Sequence, residues 1–153
     1  MKPPIAVFNI PRTIEKKILS VDGLKVHFPI SSGFMNKTIG YVKAVDDVNF
    51  KIGEGETLGI VGESGCGKTT TGRAILRAVD PTDGKVLFRM KNGDVVDTAS
   101  VGNNLLDQVR QEMQIVFQDP FASLNPRLTV FDIVADPLRV NNIAKGQELE
   151  DIV

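Results

Sequence analysis

The 153-residue sequence is poor in the side chains from which many sites are built, with one cysteine, Cys66, and one histidine, His27. A single cysteine excludes an internal disulfide and a multi-cysteine metal centre. A lone histidine leaves histidine-based triads and His-rich metal sites without support. Charge is nearly balanced, 18 basic against 19 acidic residues, so no overall field draws the chain toward nucleic acid or anionic lipid. No apolar run nears the about 20 residues that span a bilayer. The first residues are broken by Pro3, Pro4, Pro11 and a Glu15-Lys16-Lys17 cluster, and lack the apolar stretch of a signal peptide. Membrane contact is therefore expected only through other subunits, and the chain reads as cytoplasmic.

What is present is an ordinary globular composition, 42% hydrophobic and 24% charged, long enough for one modest core. Residues 1–17 read as a flexible lead-in. From Ile18 the pattern becomes that of a strand (Leu19, Val21, Leu24, Val26, Phe28), with Asp22-Gly23 as a turn signal and a loop from Pro29 to Gly40. Tyr41 to Ile52 alternates apolar and polar residues as a second strand, and Gly53-Glu54-Gly55-Glu56 is a turn. Thr57 to Val61 is a short apolar run of the kind expected for a strand buried on both faces. A helix is predicted from about Lys68 to Val79, closed by Pro81, and a hairpin around Asn92-Gly93. Leu105 to Met113 has helical spacing, Ile115-Val116-Phe117 reads as a buried strand, and Val130, Ile133, Val134 and Leu138 are again spaced as on a helix. The chain closes on polar residues with no regular element expected. Alternation of strand and helix makes this an α/β protein.

The segment Gly62-Glu63-Ser64-Gly65-Cys66-Gly67-Lys68-Thr69-Thr70 fits G-x-x-x-x-G-K-[ST] and lies between a predicted strand and a predicted helix. Glycines let successive backbone N–H groups converge on phosphates with no Cβ in the way. The helix that starts near Lys68 adds unpaired N–H groups and the positive end of its dipole. Lys68 supplies a point charge for the β- and γ-phosphates, the Thr69 hydroxyl is placed for Mg²⁺, and Thr70 sits one residue deeper on the phosphate side. A glycine-rich turn without a ligand is the plain alternative; strand, full motif and helix in one register argue against it. Cys66 fills a free position of the motif, and its place at the helix start predicts a reactive thiol that bound ATP covers. Reaction type stays open, because kinases and other NTPases share this loop.

Beyond the loop, the sequence resembles ABC transporter ATP-binding subunits from Ile18 onward. Val42-Lys43-Ala44-Val45-Asp46-Asp47-Val48-Asn49-Phe50 resembles the strand ahead of the phosphate loop, and Ser64-Gly65-Cys66-Gly67 is the ABC variety of that loop. Gln118-Asp119-Pro120 resembles the Q-loop. Ser123-Leu124-Asn125-Pro126-Arg127 and Asp136-Pro137-Leu138 are similar to the dipeptide/oligopeptide and nickel importer branch.

The resemblance implies a P-loop NTPase fold of the ABC ATPase type, present as a partial nucleotide-binding domain over residues 18–153. The helical subdomain would start at about residue 121 and face a transmembrane partner. It implies ATP and Mg²⁺ as cofactors. Gln118 would contact Mg²⁺ or the attacking water and report nucleotide state, a task suited to an amide that both donates and accepts. An aromatic residue stacks on adenine in the family; Tyr41 is the candidate and Phe28 the second, with a core or edge-strand role as the alternative for either. The implied partners are transmembrane permease subunits, a second ATP-binding subunit and, indirectly, a solute-binding protein, with the chain peripheral on the inner face of the membrane and no nucleic acid involved.

Three family elements that follow the Q-loop do not occur in these 153 residues: an LSGGQ-type signature, an apolar strand ending in Asp-Glu, and a switch histidine. Leu128-Thr129-Val130-Phe131-Asp132 imitates the second, but Ile133 stands where the base glutamate belongs and the spacing is helical. His27 lies too early to be the switch. The expectation is a truncated copy of a transporter ATPase with no general base of its own, an uncovered strand edge and a tendency to associate. A non-hydrolysing nucleotide-binding or regulatory fragment, or another P-loop NTPase such as a kinase, are the alternatives.

Overall fold

The computed structural model describes residues 6–9, 17–32, 37–117 and 124–153. They fall into two compact units, residues 1–114 and 115–153.

In the first unit, β2 (Lys17–Ser32) and β3 (Lys37–Gly53) form a long antiparallel ribbon. β5 (Asp83–Arg89) pairs with the other edge of β2, and β6 (Val95–Asp97) pairs with β5, giving the order β3-β2-β5-β6. A two-stranded sheet joins β1 (Ala6–Asn9) to β4 (Leu58–Val61). Every strand pair among the described residues is antiparallel. Helix α1 (Lys68–Ile75) follows β4, and α2 (Asn103–Glu112) follows β6. Leu19, Val21, Leu24, Val26, Val86 and Phe88 from β2 and β5 bury their side chains with Ala74 and Ile75 of α1 and Val109 of α2. One face of the sheet is thus closed by the last turn of α1, which fixes that helix against the core.

Asp22-Gly23 is not a turn between strands. β2 runs through it with a register shift between Val21 and Leu24, and Gly23 takes a φ of 59°. The reason lies across the sheet: a Cβ on Gly84 would stand 2.5 Å from the Gly23 carbonyl oxygen, so β5 enters against the bulge itself. The loop expected over 29–40 is largely strand, because Pro29 pairs opposite Tyr41, Ile30 opposite Gly40 and Ser32 opposite Lys37. The lead-in expected over 1–17 contains β1, whose residues pair from Ala6 with Val61 to Asn9 with Leu58.

β4 is less buried than an apolar run predicts, with Val61 56% exposed; among the described residues it has a strand neighbour on one side only, β1. Residues 115–117 are likewise not a strand, and Val116 is 93% exposed. Apolar runs become buried strands only where neighbours supply ladder partners and cover; among the described residues β4 has a partner along one edge alone and 115–117 have none.

The second unit holds α3 (Val130–Val140) and a short α4 (Gln147–Ile152) where polar residues predicted no element. Ala135, Ala144 and Leu149 form its small buried cluster, with Leu138 packed on it. Pro137 sits inside α3 without ending it; its carbonyl accepts from the Asn141 N–H and from Asn141 Nδ2. No helix among the described residues is long and apolar enough to cross a membrane.

Candidate functional site

Residues 62–70 turn the chain from β4 into α1. Gly65 (φ 79°) and Gly67 (φ 113°) both lie in the left-handed region, where a Cβ is costly, which is why the motif has glycine there. Nothing lies within 4 Å of the Cβ position on Gly65, so that requirement is conformational rather than steric. Gly67 is the N-cap of α1 and has no side chain to offer; no side-chain cap is made and the first turn has no acidic residue. Among the described residues no side chain claims the leading N–H groups of α1, which lie at the positive end of the helix dipole.

Lys68 folds back over this loop. Its Nζ donates to the carbonyl oxygens of Gly62 (2.6 Å) and Glu63 (2.8 Å), with Cys66 Sγ at 3.7 Å. The loop is closed further by the Cys66 N–H to the Glu63 carbonyl, and Thr71, fully buried, ties its hydroxyl to the Gly67 carbonyl at 3.0 Å. An ammonium group is thus held on the loop that leads into an uncapped helix start, a combination that attracts a multiply charged oxyanion. Thr69 is exposed at the second helical position, and its hydroxyl makes no hydrogen bond among the described residues. A hard oxygen donor beside an anion cradle fits Mg²⁺, which takes oxygen ligands shared with phosphates.

Cys66 departs from expectation. Its side chain is 6% exposed, so burial itself shields a thiol that was expected to be open to reagents. Gln118, with Asp119, Pro120 and Ser123, lies outside the described residues. Tyr41 (63% exposed) and Phe28 (42%) sit on the β2–β3 ribbon. Phe28 pairs opposite Val42 and Tyr41 opposite Pro29, so alternation along the strands sends the two rings to opposite faces. The structure therefore separates the two aromatic candidates instead of bringing them together.

His27 is engaged locally, with Nε2 3.0 Å from Asp46 Oδ1, while Lys43 Nζ bonds the other oxygen of Asp46 at 3.1 Å. The Lys43 hydrogen bond, and then the His27 one, hold the Asp46 carboxyl below the usual aspartate range. Asp132, which closes the Leu128–Asp132 run, is tied to the start of α3 by the Thr129 hydroxyl. A cavity of about 530 Å³ is lined by Lys17, Glu54, Phe88, Arg89 and Glu112 among others. It shares no residue with loop 62–70, and both signs of charge line it.

Glycines in left-handed conformations, an uncapped helix and an overlying lysine, set on an α/β core, define a protein of the P-loop class. The chain belongs to the ABC transporter family, whose model matches residues 45–153. It is 45% identical over 139 residues to the oligopeptide transport ATP-binding protein AppF of Bacillus subtilis (strain 168), covering 91% of this chain and 41% of that protein. It is 50% identical over 133 residues to OppF of the same organism, another oligopeptide transport ATP-binding protein, covering 87% and 40%. The glutathione import ATP-binding protein GsiA of Escherichia coli (strain K12) is 45% identical over 131 residues, 86% of this chain and 20% of GsiA. This chain thus spans about two fifths of AppF and OppF. Among solved structures, a dimeric post-hydrolysis state of the ATP-binding cassette MJ0796 bound to ADP and Pi superposes with a TM-score of 0.61. It is 24% identical, with 87% of this chain and 52% of that chain covered, and fixes the fold as that of an ABC ATPase core.

Proposed function

We propose that the chain is the nucleotide-binding part of an ATP-binding subunit that energises an importer of oligopeptides or dipeptides. The observation that carries the nucleotide half is the start of α1, where no side chain caps the helix and the Lys68 ammonium is held against the preceding loop. Residues Gly62, Glu63, Ser64, Gly65, Cys66, Gly67, Lys68, Thr69 and Thr70 are assigned to the phosphates, through backbone N–H groups and the Lys68 ammonium. Thr69 and Gln118 are assigned to Mg²⁺, which when bound neutralises phosphate charge and orients the terminal group. Lys68 and Gln118 are the residues of this chain assigned to the reaction, and Tyr41 is assigned to the adenine ring. Similarity to AppF and OppF supports the peptide cargo.

The whole protein is assigned ATP hydrolysis coupled to transport. Its partners are transmembrane permease subunits, a second ATP-binding subunit and, through the permease, a solute-binding protein, at the cytoplasmic face of the membrane. The outward apolar residues of α3, Val130 (79% exposed), Val134 (49%) and Val140 (69%), suit a permease contact.

Calorimetric titration with ATP, inorganic triphosphate and AMP tests the nucleotide half. Binding led by a phosphate cradle gives saturable heats with ATP and triphosphate and far weaker ones with AMP. ATP binding no tighter than AMP would sink the proposal.

A further inference from the structure

The far end of α1 is as fully closed as its beginning is open. Its C-terminus is a Schellman turn: the Ala78 N–H reaches the Arg73 carbonyl at 2.8 Å and the Arg77 N–H reaches that of Ala74 at 3.0 Å. The left-handed position of such a turn is usually glycine; here it is Arg77, with a φ of 51°. The next carbonyls are taken by other elements. The buried Thr98 hydroxyl, just after β6, donates to Ile75 O at 3.0 Å. From α2, Arg110 Nε donates to Leu76 O at 3.4 Å and its Nη2 to Arg77 O at 2.9 Å. Arg77 in turn donates to the Val101 carbonyl and to Asp80.

Each carbonyl from residue 72 to 77 thus has a donor, since the Leu76 N–H takes that of Gly72 at 3.4 Å. An eight-residue helix is too short to hold itself together in water, so its order must come from such anchors. Arg110 also places a cation at the negative end of the dipole.

We propose that Arg110 is a positioning residue for nucleotide. By fixing the C-terminal end of α1 from α2, it keeps the leading N–H groups and Lys68 ordered before a phosphate arrives. It touches no ligand itself. This rests on the assignment of loop 62–70 to ATP phosphates. The Arg110 side chain remains 43% exposed, so water competes for its bonds and the effect is moderate.

The test compares wild type with Arg110→Gln and Arg110→Lys, at a temperature where far-ultraviolet circular dichroism shows each folded. Arg110→Gln should weaken ATP binding roughly 3- to 30-fold. Arg110→Lys should recover part of it, since an ammonium restores the charge but not the fork across two carbonyls. A residue that merely stabilises would lower the unfolding midpoint and leave the affinity of the folded protein unchanged; that result overturns the proposal. Should Arg110→Gln fail to fold, the lysine variant and the wild type decide. In wild type, ATP should slow exchange of the Ala78 and Val79 amides at the far end of α1, and unchanged exchange there also counts against the anchor. If wild type binds no ATP, the functional assignment fails separately. The anchor then still requires faster exchange across Lys68–Ile75 in the arginine variants, and equal exchange refutes it.

Discussion

At the start of α3, Thr129 Oγ1 accepts the Asp132 N–H at 3.1 Å and returns a bond to the Asp132 carboxylate at 2.7 Å. At the start of α1, the corresponding position is Gly67, with no side chain, no acidic residue in the turn that follows, and a left-handed backbone. The first helix satisfies one of its leading donors and adds a negative charge at its positive end. The second forgoes both sources of stability, each worth about 1 kcal/mol or less. Capping by side chains and binding by backbone donors are exclusive uses of the same N–H groups. A helix that leaves them open, while its other end is tied down by Thr98 and Arg110, keeps those donors available for the proposed phosphate contact.

The largest expected effect comes from removing the charge that overhangs the open end. Lys68→Ala should weaken ATP binding roughly 10- to 100-fold, the worth of a hydrogen-bonded charge, while calorimetry on the same protein shows little loss of fold. Affinity retained within a factor of two would break the comparison, because the open donors would then not be serving a phosphate. Next in size is Gly67→Ala. A Cβ at φ 113° should cost about 1–3 kcal/mol, read from chemical denaturation, with ATP affinity falling alongside. A variant as stable as wild type would show that the left-handed cap is not demanded by the loop. At the closed end, Thr129→Ala should cost about 1 kcal/mol of local stability and leave ATP binding unchanged. A fall in ATP affinity there would blur the distinction between the two termini.

How far these features could be read from sequence depended on whether their determinants were local. Loop 62–70 was legible because its spacing, its glycines and its lysine state the chemistry without any partner. The hairpin around Gly93 and helices α2 and α3 were legible from turn chemistry and periodicity. The exposure of β4 and the irregular course of 115–117 were not, since apolar runs carry no record of which strand lies beside them. Asp22-Gly23 showed a break in β2, but only the approach of β5 at Gly84 made it a bulge instead of a turn. The closed end of α1 was illegible for a related reason. Arg77 and Arg110 are separated by 33 residues and look like scattered surface cations until the fold brings one guanidinium to the other's carbonyl.

The smallest effect concerns acid, and it sharpens the same contrast. The Asp132 carboxyl lies below its ordinary value of 3.8, first because the Thr129 hydroxyl donates to it and next because Arg139 does. A folded value lower than the unfolded one means the unfolded chain binds this proton first as pH falls. The contribution of Asp132 is therefore complete above about pH 3.8 and is lost as pH drops through the lower folded value. The start of α1 has no acidic residue in its first turn and gains nothing of this kind. Asp46 and Asp83 in the first unit are lowered as well, by Lys43 and by Lys25, so a global acid melt would mix the three. Following the Asp132 carboxyl by nuclear magnetic resonance isolates it. Its midpoint should lie below 3.8 in wild type and move up toward that value in Thr129→Ala, which removes the hydroxyl that donates to the carboxylate. A wild-type midpoint at or above 3.8 would mean that the hydroxyl caps the helix without holding the carboxylate, and that the end of α3 is closed by one bond instead of two.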